Sequence, residues 1–274
     1  TLGEEVGWHW GFGAAAVGMA LAIAVFVKGM PHLAPERPRG ARANAAPRTP
    51  MSQQDWLATA ALLALIPVLA VALIPNSQIF NAYMVWADRA FALEFMGRKL
   101  PTTWLGSLDA TVSVACLALV ALFWRWWGRR RREPDELGKM IIGSAFSIAG
   151  TLCLWMAAVT TPAGGKVGLA WPLAFHLLNS IAFSHILPVS LALFSRLAPK
   201  AINATVIGLY YLAFFFGNAL VGWVGAQFSS MDTGRFWLLH TACAALSGAV
   251  FALYKLLLAP RLLHAGKAED TALA

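Results

Sequence analysis

Long apolar stretches alternate with short charged ones along the whole of this 274-residue chain. Each apolar run is roughly 20 residues long, the length that a helix needs to cross the ~30 Å hydrocarbon core of a bilayer. The seven runs are Gly11–Val27, Leu57–Pro75, Ala110–Trp124, Met140–Val159, Leu169–Leu193, Thr205–Val224 and Phe236–Leu258. The pattern predicts seven membrane-spanning segments.

The composition agrees with this pattern. The chain is 59% hydrophobic and 12% charged, and nearly all of its charged residues lie between the apolar runs. Because lipid offers no hydrogen-bond partner to backbone N–H and C=O groups, the runs must be helices. The predicted fold is an all-α polytopic membrane protein with seven transmembrane helices.

Lys and Arg are divided unevenly between the two sides that seven helices define. Of the 21 basic residues, 16 lie on the side of segments 30–54 and 125–139, and five on the other. Because cytoplasmic loops are enriched in Lys and Arg, we expect the N-terminus outside and the C-terminus in the cytoplasm. We expect an integral membrane protein of the bacterial inner membrane. The basic residues are spread over four membrane-edge segments, which argues against nucleic acid as a partner.

Composition also divides the chain into four parts. Residues 1–29 hold the first transmembrane helix, and residues 55–260 hold six more that short connections join into one bundle. Segment 30–54 contains five prolines with Ala, Gly and Arg, which predicts a flexible cytoplasmic linker. Residues 261–274 are predicted to be a cytoplasmic tail. The chain opens without the basic region of a signal peptide. Because it does not begin with Met, we expect either a fragment of a longer protein or a mature chain.

Prolines, glycines and tryptophans add local expectations. Pro67 and Pro75 lie inside the second helix and predict kinks or a break there, and this helix is expected to extend through Trp86.

A face of small residues predicts close contacts of the sixth helix, through Gly208, Gly217, Gly222 and Gly225. Tryptophans near the ends of the runs are interpreted as headgroup-level anchors: Trp8, Trp10, Trp104, Trp124, Trp126, Trp127 and Trp237.

Few strongly polar side chains lie inside the predicted helices, and each is a functional candidate because its burial in lipid is costly. They include Gln78, Asn81, Asp109, His176, Asn179, Ser180, Ser184, His185, Asn218 and His240. His176, Asn179 and Ser180 share one helix face, which either lines a polar cavity or bonds to neighbouring helices. Asp109 is either a binding group or a hydrated residue at the outer interface. The sequence has no metal-ligand spacing, phosphate loop or catalytic constellation, so we expect neither a cofactor nor an enzyme.

Several short segments, in order and spacing, resemble the C-terminal part of a proton-dependent oligopeptide transporter of the major facilitator superfamily. These segments are Gly7–Phe12 with Gly18–Met19, Phe80–Arg89, Pro101–Asp109, Trp127–Arg130, Leu187–Leu191 with Leu197–Pro199, and Gly208–Leu212 with Gly217–Asn218. The resemblance covers nearly the whole chain. It implies the family's sixth helix followed by its C-terminal six-helix bundle, and the chain contains no counterpart of helices one to five or of their acidic-and-arginine motif.

The chain departs from the family pattern at three positions. Phe183 occupies the place of a Glu in the tenth helix, which the resemblance implies binds the amino end of a peptide. Leu187 stands in place of a Ser, and Asp109 in place of an Asn of the eighth helix. Because an apolar side chain cannot pair with a charged amine, peptide specificity is expected to differ from the family's.

The resemblance implies part of a proton-coupled secondary transporter that supplies one half of the central site. Its partners would be the lipid bilayer, a missing N-terminal helical bundle or another membrane subunit, a small peptide and a proton. The alternative is a non-transporting structural subunit of a larger membrane complex derived from such a transporter. Family position or helical neighbourhood assigns seven residues to the substrate site: Gln78, Asn81, Asp109, Phe183, Ser184, His185 and Tyr210.

Overall fold

The computed structural model describes Gly3 and residues 6–33 and 50–257. Its helices are α1 Trp8–Gly29, α2 Gln53–Ser77, α3 Ala82–Ala90, α4 Trp104–Gly128, α5 Glu136–Thr160, α6 Ala170–Leu197, α7 Asn203–Tyr210, α8 Leu212–Ala226 and α9 Thr233–Leu257. Short 3₁₀ turns at Met30–His32, Gln78–Phe80 and Gln227–Ser229 extend three of them. Joined across these turns, and across Tyr211 between α7 and α8, the helices give seven segments long and apolar enough to cross a membrane, which confirms the predicted fold class.

The chain divides into two compact units, residues 1–50 and 51–274. The first contains α1, a helix that is apolar on every face and buries none of its residues. Such a helix requires lipid or another protein surface around it. The predicted linker and tail fall mainly on residues 34–49 and 258–274, which lie outside the described residues. Their boundaries and their cytoplasmic placement stay predictions.

The second predicted span is a long helix with an interruption near its end. Ser52 caps α2 by accepting a hydrogen bond from the Asp55 N–H, and Asp55 accepts one from the Ser52 N–H in return. The α-helix continues across Pro67 and Pro75, and the break falls at Asn81, whose φ is −130° and ψ −113°. The span then continues as α3 to Ala90, which confirms its predicted extension through Trp86.

A small hairpin that the apolar pattern did not predict follows α3. Strands β1 Glu94–Phe95 and β2 Arg98–Lys99 pair antiparallel around a turn in which Met96 and Gly97 have positive φ. Just before it, the Ala92 N–H donates to the Val167 carbonyl and the Val167 N–H donates to the Ala90 carbonyl. These bonds tie the end of α3 to the loop that leads into α6.

The bundle packs around α5, which contacts α6 and α9 most extensively. Small residues allow α5 to lie close to both of these helices. A Cβ added at Gly143 would lie 2.8 Å from the His185 Cβ, and one added at Gly248 would lie 2.8 Å from the Ser144 Cβ. One apolar cluster, including Met140 and Phe194, lies toward the start of α5, and a second, including Trp237, lies toward the hairpin end.

Two packing predictions need correction. Only Gly217 and Gly225 of the predicted small face meet neighbouring helices, whereas a Cβ at Gly208 or Gly222 would find nothing within 4 Å. Trp237 is not a headgroup anchor, because it is 1% exposed and packs inside the hairpin-end cluster. Both errors arise because a residue's type does not reveal which face of a helix meets a neighbour.

Ion pairs hold the α4–α5 turn against neighbouring helix ends. Asp135 caps α5 by accepting from the Gly138 N–H at 2.9 Å, and it accepts from Lys255 of α9 at 2.6 Å. Glu136 accepts from Arg196 of α6 at 2.7 Å. Partial burial opposes ionisation of Asp135, but the bonds from Lys255 and Gly138 outweigh it and hold the pKa of this carboxyl below its ordinary value.

Candidate functional site

Three ionisable side chains form a continuous hydrogen-bonded chain inside the bundle. The Asp109 carboxylate lies 2.9 Å from Nδ1 of His176, and Nε2 of the same imidazole lies 2.9 Å from the Tyr83 hydroxyl. His176 and Tyr83 are fully buried and Asp109 is 6% exposed. We call this chain the Asp109–His176–Tyr83 relay. A buried ionisable group within a membrane span is costly, which marks the relay as a functional candidate.

Three separate helices bring the relay together. Tyr83 lies on α3 just beyond the break at Asn81, Asp109 lies in the second turn of α4, and His176 lies in the second turn of α6. The Tyr83 ring is held by aromatic neighbours, with its centroid 5.6 Å from that of Phe91 and 5.3 Å from that of Phe175. This apolar surround strengthens each hydrogen bond of the relay, because little water competes for it.

The relay can hold the imidazole in either protonation state. An ionised carboxylate only accepts hydrogen bonds, so the hydrogen-bond partners assign a hydrogen to Nδ1 of His176, which donates it to Asp109. In the neutral imidazole Nε2 then accepts from the Tyr83 hydroxyl, and in the protonated one Nε2–H donates to the Tyr83 oxygen. A hydroxyl can serve both roles, so proton uptake needs no rearrangement of heavy atoms.

The members of the relay differ in how much of their side-chain surface is exposed. The Asp109 side chain keeps 9% of its surface exposed, whereas the His176 side chain keeps none. Asp109 is therefore the member of the relay nearest to the surface of the bundle. The carboxylate also supplies the opposite charge that a protonated imidazole requires in a site of low dielectric constant. Within the described ranges, no group of three or more His, Cys, Asp or Glu side chains is placed to hold a metal ion.

Gln78 and Asn81 lie together beside α8. The Asn81 amide donates to the Val221 carbonyl at 3.3 Å, and a Cβ at Gly225 would meet both amide side chains. Gln78 is fully buried, and neither end of its amide has a hydrogen-bond partner among the described residues. An unpaired buried amide costs about 1–3 kcal/mol, which makes Gln78 a candidate to receive a ligand or another chain's polar group.

Phe183 lines a small cleft between α2, α5 and α6. The polar groups of that cleft come from Asn76, Ser147 and Asn179. The Asn179 amide nitrogen is buried without a partner in the described structure. The position that holds a Glu in the resembled family therefore faces available hydrogen-bond donors.

The remaining three predicted residues form hydrogen bonds within the bundle. The Tyr210 hydroxyl lies 3.0 Å from Ser190 Oγ and donates to the Leu187 carbonyl, beside the proline of α6. Ser184 donates to a carbonyl of its own helix, four residues earlier. His185 accepts from the Trp124 indole N–H at 3.1 Å. The seven residues thus fall into separate groups within the described bundle.

The structure bears on two interpretations that the sequence left open. His176 and Ser180 bond to other helices, the latter through Ser113 at 3.0 Å, whereas Asn179 of the same helix face lines the cleft beside Phe183. Asp109 is buried rather than hydrated at the interface. Sequence reasoning left Tyr83 out of the site altogether. Tyr83 is 93 residues from its imidazole partner, and nothing local in the sequence signals that contact.

The chain is similar in sequence to known proteins. The family model described as Major Facilitator Superfamily matches residues 1–222. The peptide transporter YePEPT of Yersinia enterocolitica subsp. palearctica serotype O:3 (strain YE-P4) is 22% identical, over 97% of this chain and 65% of its own length. The uncharacterized transporter YclF of Bacillus subtilis (strain 168) is 24% identical, over 84% of this chain and 56% of its own. The chain thus spans between about half and two thirds of these curated relatives.

Solved structures share the fold. The crystal structure of the peptide transporter POT in complex with sulfate matches with a TM-score of 0.75 and 19% identity, over 96% of this chain and 63% of the other. A mutant of POT in complex with alafosfalin gives a TM-score of 0.73 and 20% identity, over 95% and 62%. These similarities confirm the resemblance to peptide transporters that the sequence indicated. Because the superfamily model matches most of its length, the chain belongs to the major facilitator superfamily.

Proposed function

We propose that the full-length protein containing this chain is a proton-coupled secondary transporter of the oligopeptide transporter type, and that this chain supplies one half of its central site. The observation that carries the proposal is the Asp109–His176–Tyr83 relay, in which both ring nitrogens of the imidazole have hydrogen-bond partners in its neutral and in its protonated form. The similarity to YePEPT and to POT with bound alafosfalin supports small peptides as the substrate class.

The relay offers a way to couple proton movement to a change in the bundle. Its three residues come from α3, α4 and α6, so the strength of its bonds depends on how these helices sit against one another. A helix movement that separates His176 from Asp109 would remove the charge partner of the imidazolium and release the proton. Proton binding and helix arrangement would then be linked, which is what a symporter requires.

We assign the substrate site to Gln78, Asn81, Asp109, Phe183, Ser184, His185 and Tyr210, with the relay as its proton-binding part. Gln78 contributes an unpaired amide, and the Phe183 cleft contributes the unpaired amide nitrogen of Asn179. These groups could form hydrogen bonds with the polar ends of a peptide. The groups are separate within this chain, so a second helical bundle would have to complete the site. Broken helices near such sites are common in transporters, and the break at Asn81 adjoins both amides.

Uptake by the full-length protein tests the function. In proteoliposomes carrying the protein, a labelled dipeptide should accumulate when the outside is acidic and should only equilibrate when the pH is equal on both sides. Empty liposomes and a protonophore serve as controls. Absence of uptake, combined with stable insertion and co-purification with other membrane subunits, would support the alternative of a structural subunit.

The orientation is proposed from the charge asymmetry and is tested by cysteine labelling in intact cells. Met96 at the hairpin tip is 89% exposed, and Arg132 lies in the α4–α5 turn at the opposite membrane face. In a background in which the three native free cysteines are replaced, Met96→Cys should react with an impermeant maleimide and Arg132→Cys should react only after lysis. The reverse pattern would invert the proposed topology.

A further inference from the structure

An apolar cavity opens on the side of the bundle between α4, α5 and α6. Its volume is about 450 Å³, within the ~300–1,000 Å³ typical of pockets for small ligands. Its walls include Val120, Phe123, Ile142, Phe146 and Ile181. Of the seven residues assigned to the transport site, only His185 lines this cavity. The proposed transport site therefore does not account for it.

The side-chain nitrogen atoms in the cavity wall are already paired. The Trp124 indole N–H donates to Nε2 of His185, and Nδ1–H of His185 donates to the Ile181 carbonyl. Neither ring is left with a free hydrogen-bonding group. The cavity therefore favours an apolar occupant such as a hydrocarbon chain, because a polar one would lose its bonds to water without replacement.

A group of arginines follows the cavity-lining residues of α4. Phe123 and Trp124 line the cavity, and Arg125 follows them directly. The arginine cluster consists of Arg125, Arg129, Arg130, Arg131 and Arg132. Two of its members are held over indole rings, with the Arg130 Cζ 4.6 Å from the Trp126 ring centroid and the Arg131 Cζ 5.2 Å from that of Trp127.

The acidic residues beside the arginine cluster do not neutralise it. Glu133 pairs with Lys139, Asp135 with Lys255, and Glu136 with Arg196 of α6. In the described part of the chain, the five guanidinium groups of the arginine cluster have no carboxylate partner within ion-pair distance. A phosphate would complement them, and guanidinium groups bind phosphate with paired N–H donors.

We propose that this side of the bundle is a binding site for one anionic phospholipid. An acyl chain occupies the cavity between α4, α5 and α6, and the phosphate and headgroup rest on the arginine cluster. Clusters of basic residues at the end of a transmembrane helix attract anionic lipids by about 1 kcal/mol per charge, and a basic site with an apolar cavity beside it selects a whole lipid. The occupant is thus a phosphatidylglycerol-type lipid rather than a soluble anion.

The test uses the purified full-length protein offered an equimolar mixture of phosphatidylglycerol and phosphatidylcholine, with bound lipid counted by native mass spectrometry. The wild type should retain phosphatidylglycerol about tenfold better than phosphatidylcholine. Arg129→Gln with Arg130→Gln should lower this preference severalfold, because two of the five charges are lost. The matched control, Arg89→Gln with Arg235→Gln, removes two exposed arginines from the opposite membrane face and should behave as wild type.

A second pair of variants tests the cavity. Val120→Trp fills it and should weaken the binding of both lipids about tenfold, whereas Val114→Trp, on an exposed part of α4 outside the cavity, should not. Ile142→Phe serves the same purpose if Val120→Trp does not fold. Equal retention of both lipids by the wild type, or unchanged binding after filling, would overturn the proposal. So would displacement of the lipid by soluble glycerol phosphate, or another polypeptide found over α4 and α5 in place of lipid.

Discussion

Asp109→Asn should uncouple peptide accumulation from the proton gradient while leaving the fold intact. The amide oxygen of Asn can still accept from Nδ1–H of His176, so the hydrogen bond that spans α4 and α6 is kept. The neutral amide cannot supply the charge partner of an imidazolium, so the proton on the relay loses its compensating charge. Gradient-driven uptake in proteoliposomes should fall roughly 100-fold, as for loss of a positioned proton-transfer group.

Exchange without a gradient is the control for this prediction. Asp109→Asn proteoliposomes should still exchange labelled for unlabelled peptide at a rate within about twofold of the wild type, because Asp109 acts in the proton-binding part of the site and the other six assigned residues are retained. Loss of exchange together with accumulation would place Asp109 in peptide binding instead. Full gradient-driven accumulation by the variant would remove the relay from the coupling mechanism.

A second variant separates the loss of the negative charge from the loss of the hydrogen bonds of the relay. His176→Leu leaves the Asp109 carboxylate and the Tyr83 hydroxyl buried without their partner, which should cost about 3–5 kcal/mol of folding stability. Asp109→Asn should cost only about 1 kcal/mol, because its hydrogen bond survives. Thermal unfolding in detergent measures both. Similar stabilities for the two variants would mean that the buried carboxylate has another partner in the intact protein.

The sequence predicted the seven spans because a bilayer imposes a simple requirement on length and polarity. Every run of the apolar pattern corresponds to a candidate membrane span, and the extension of the second span through Trp86 also followed from its continuing apolar character. The break at Asn81 did not follow, since proline is the usual signal for a break and both prolines of α2 lie in continuous helix. Helix packing decides where such a break occurs.

The candidate site was predicted only in part, for a geometric reason. The cost of burying charge in lipid identified Asp109 and His176 one at a time, but their pairing depends on the rotation of α4 and α6 about their axes. That rotation is fixed by contacts such as Gly143 against α6, which no local pattern reveals. The relay, the cavity beside the arginine cluster and the burial of Trp237 therefore became visible only in three dimensions.

Phe183→Glu should raise the affinity of the full-length protein for peptides with a free amino end by about 10- to 100-fold. The phenyl ring lines the cleft that also holds Asn76, Ser147 and Asn179, so a carboxylate there would find hydrogen-bond donors around it. It would then pair with the ammonium group of a peptide, which the apolar side chain cannot do. Competition of unlabelled dipeptide against a labelled one measures the change.

Two controls sharpen this last prediction. Phe183→Gln has nearly the shape of the glutamate without its charge, so a gain shared by both variants would reflect added room or polarity. A dipeptide with an acetylated amino end should bind the wild type and Phe183→Glu alike, because it carries no charge for the carboxylate to pair with. If Phe183→Glu folds but gains nothing for the free peptide, the amino end of the substrate does not lie at α6. Wild-type specificity would then depend on Gln78 and the relay instead of on this cleft.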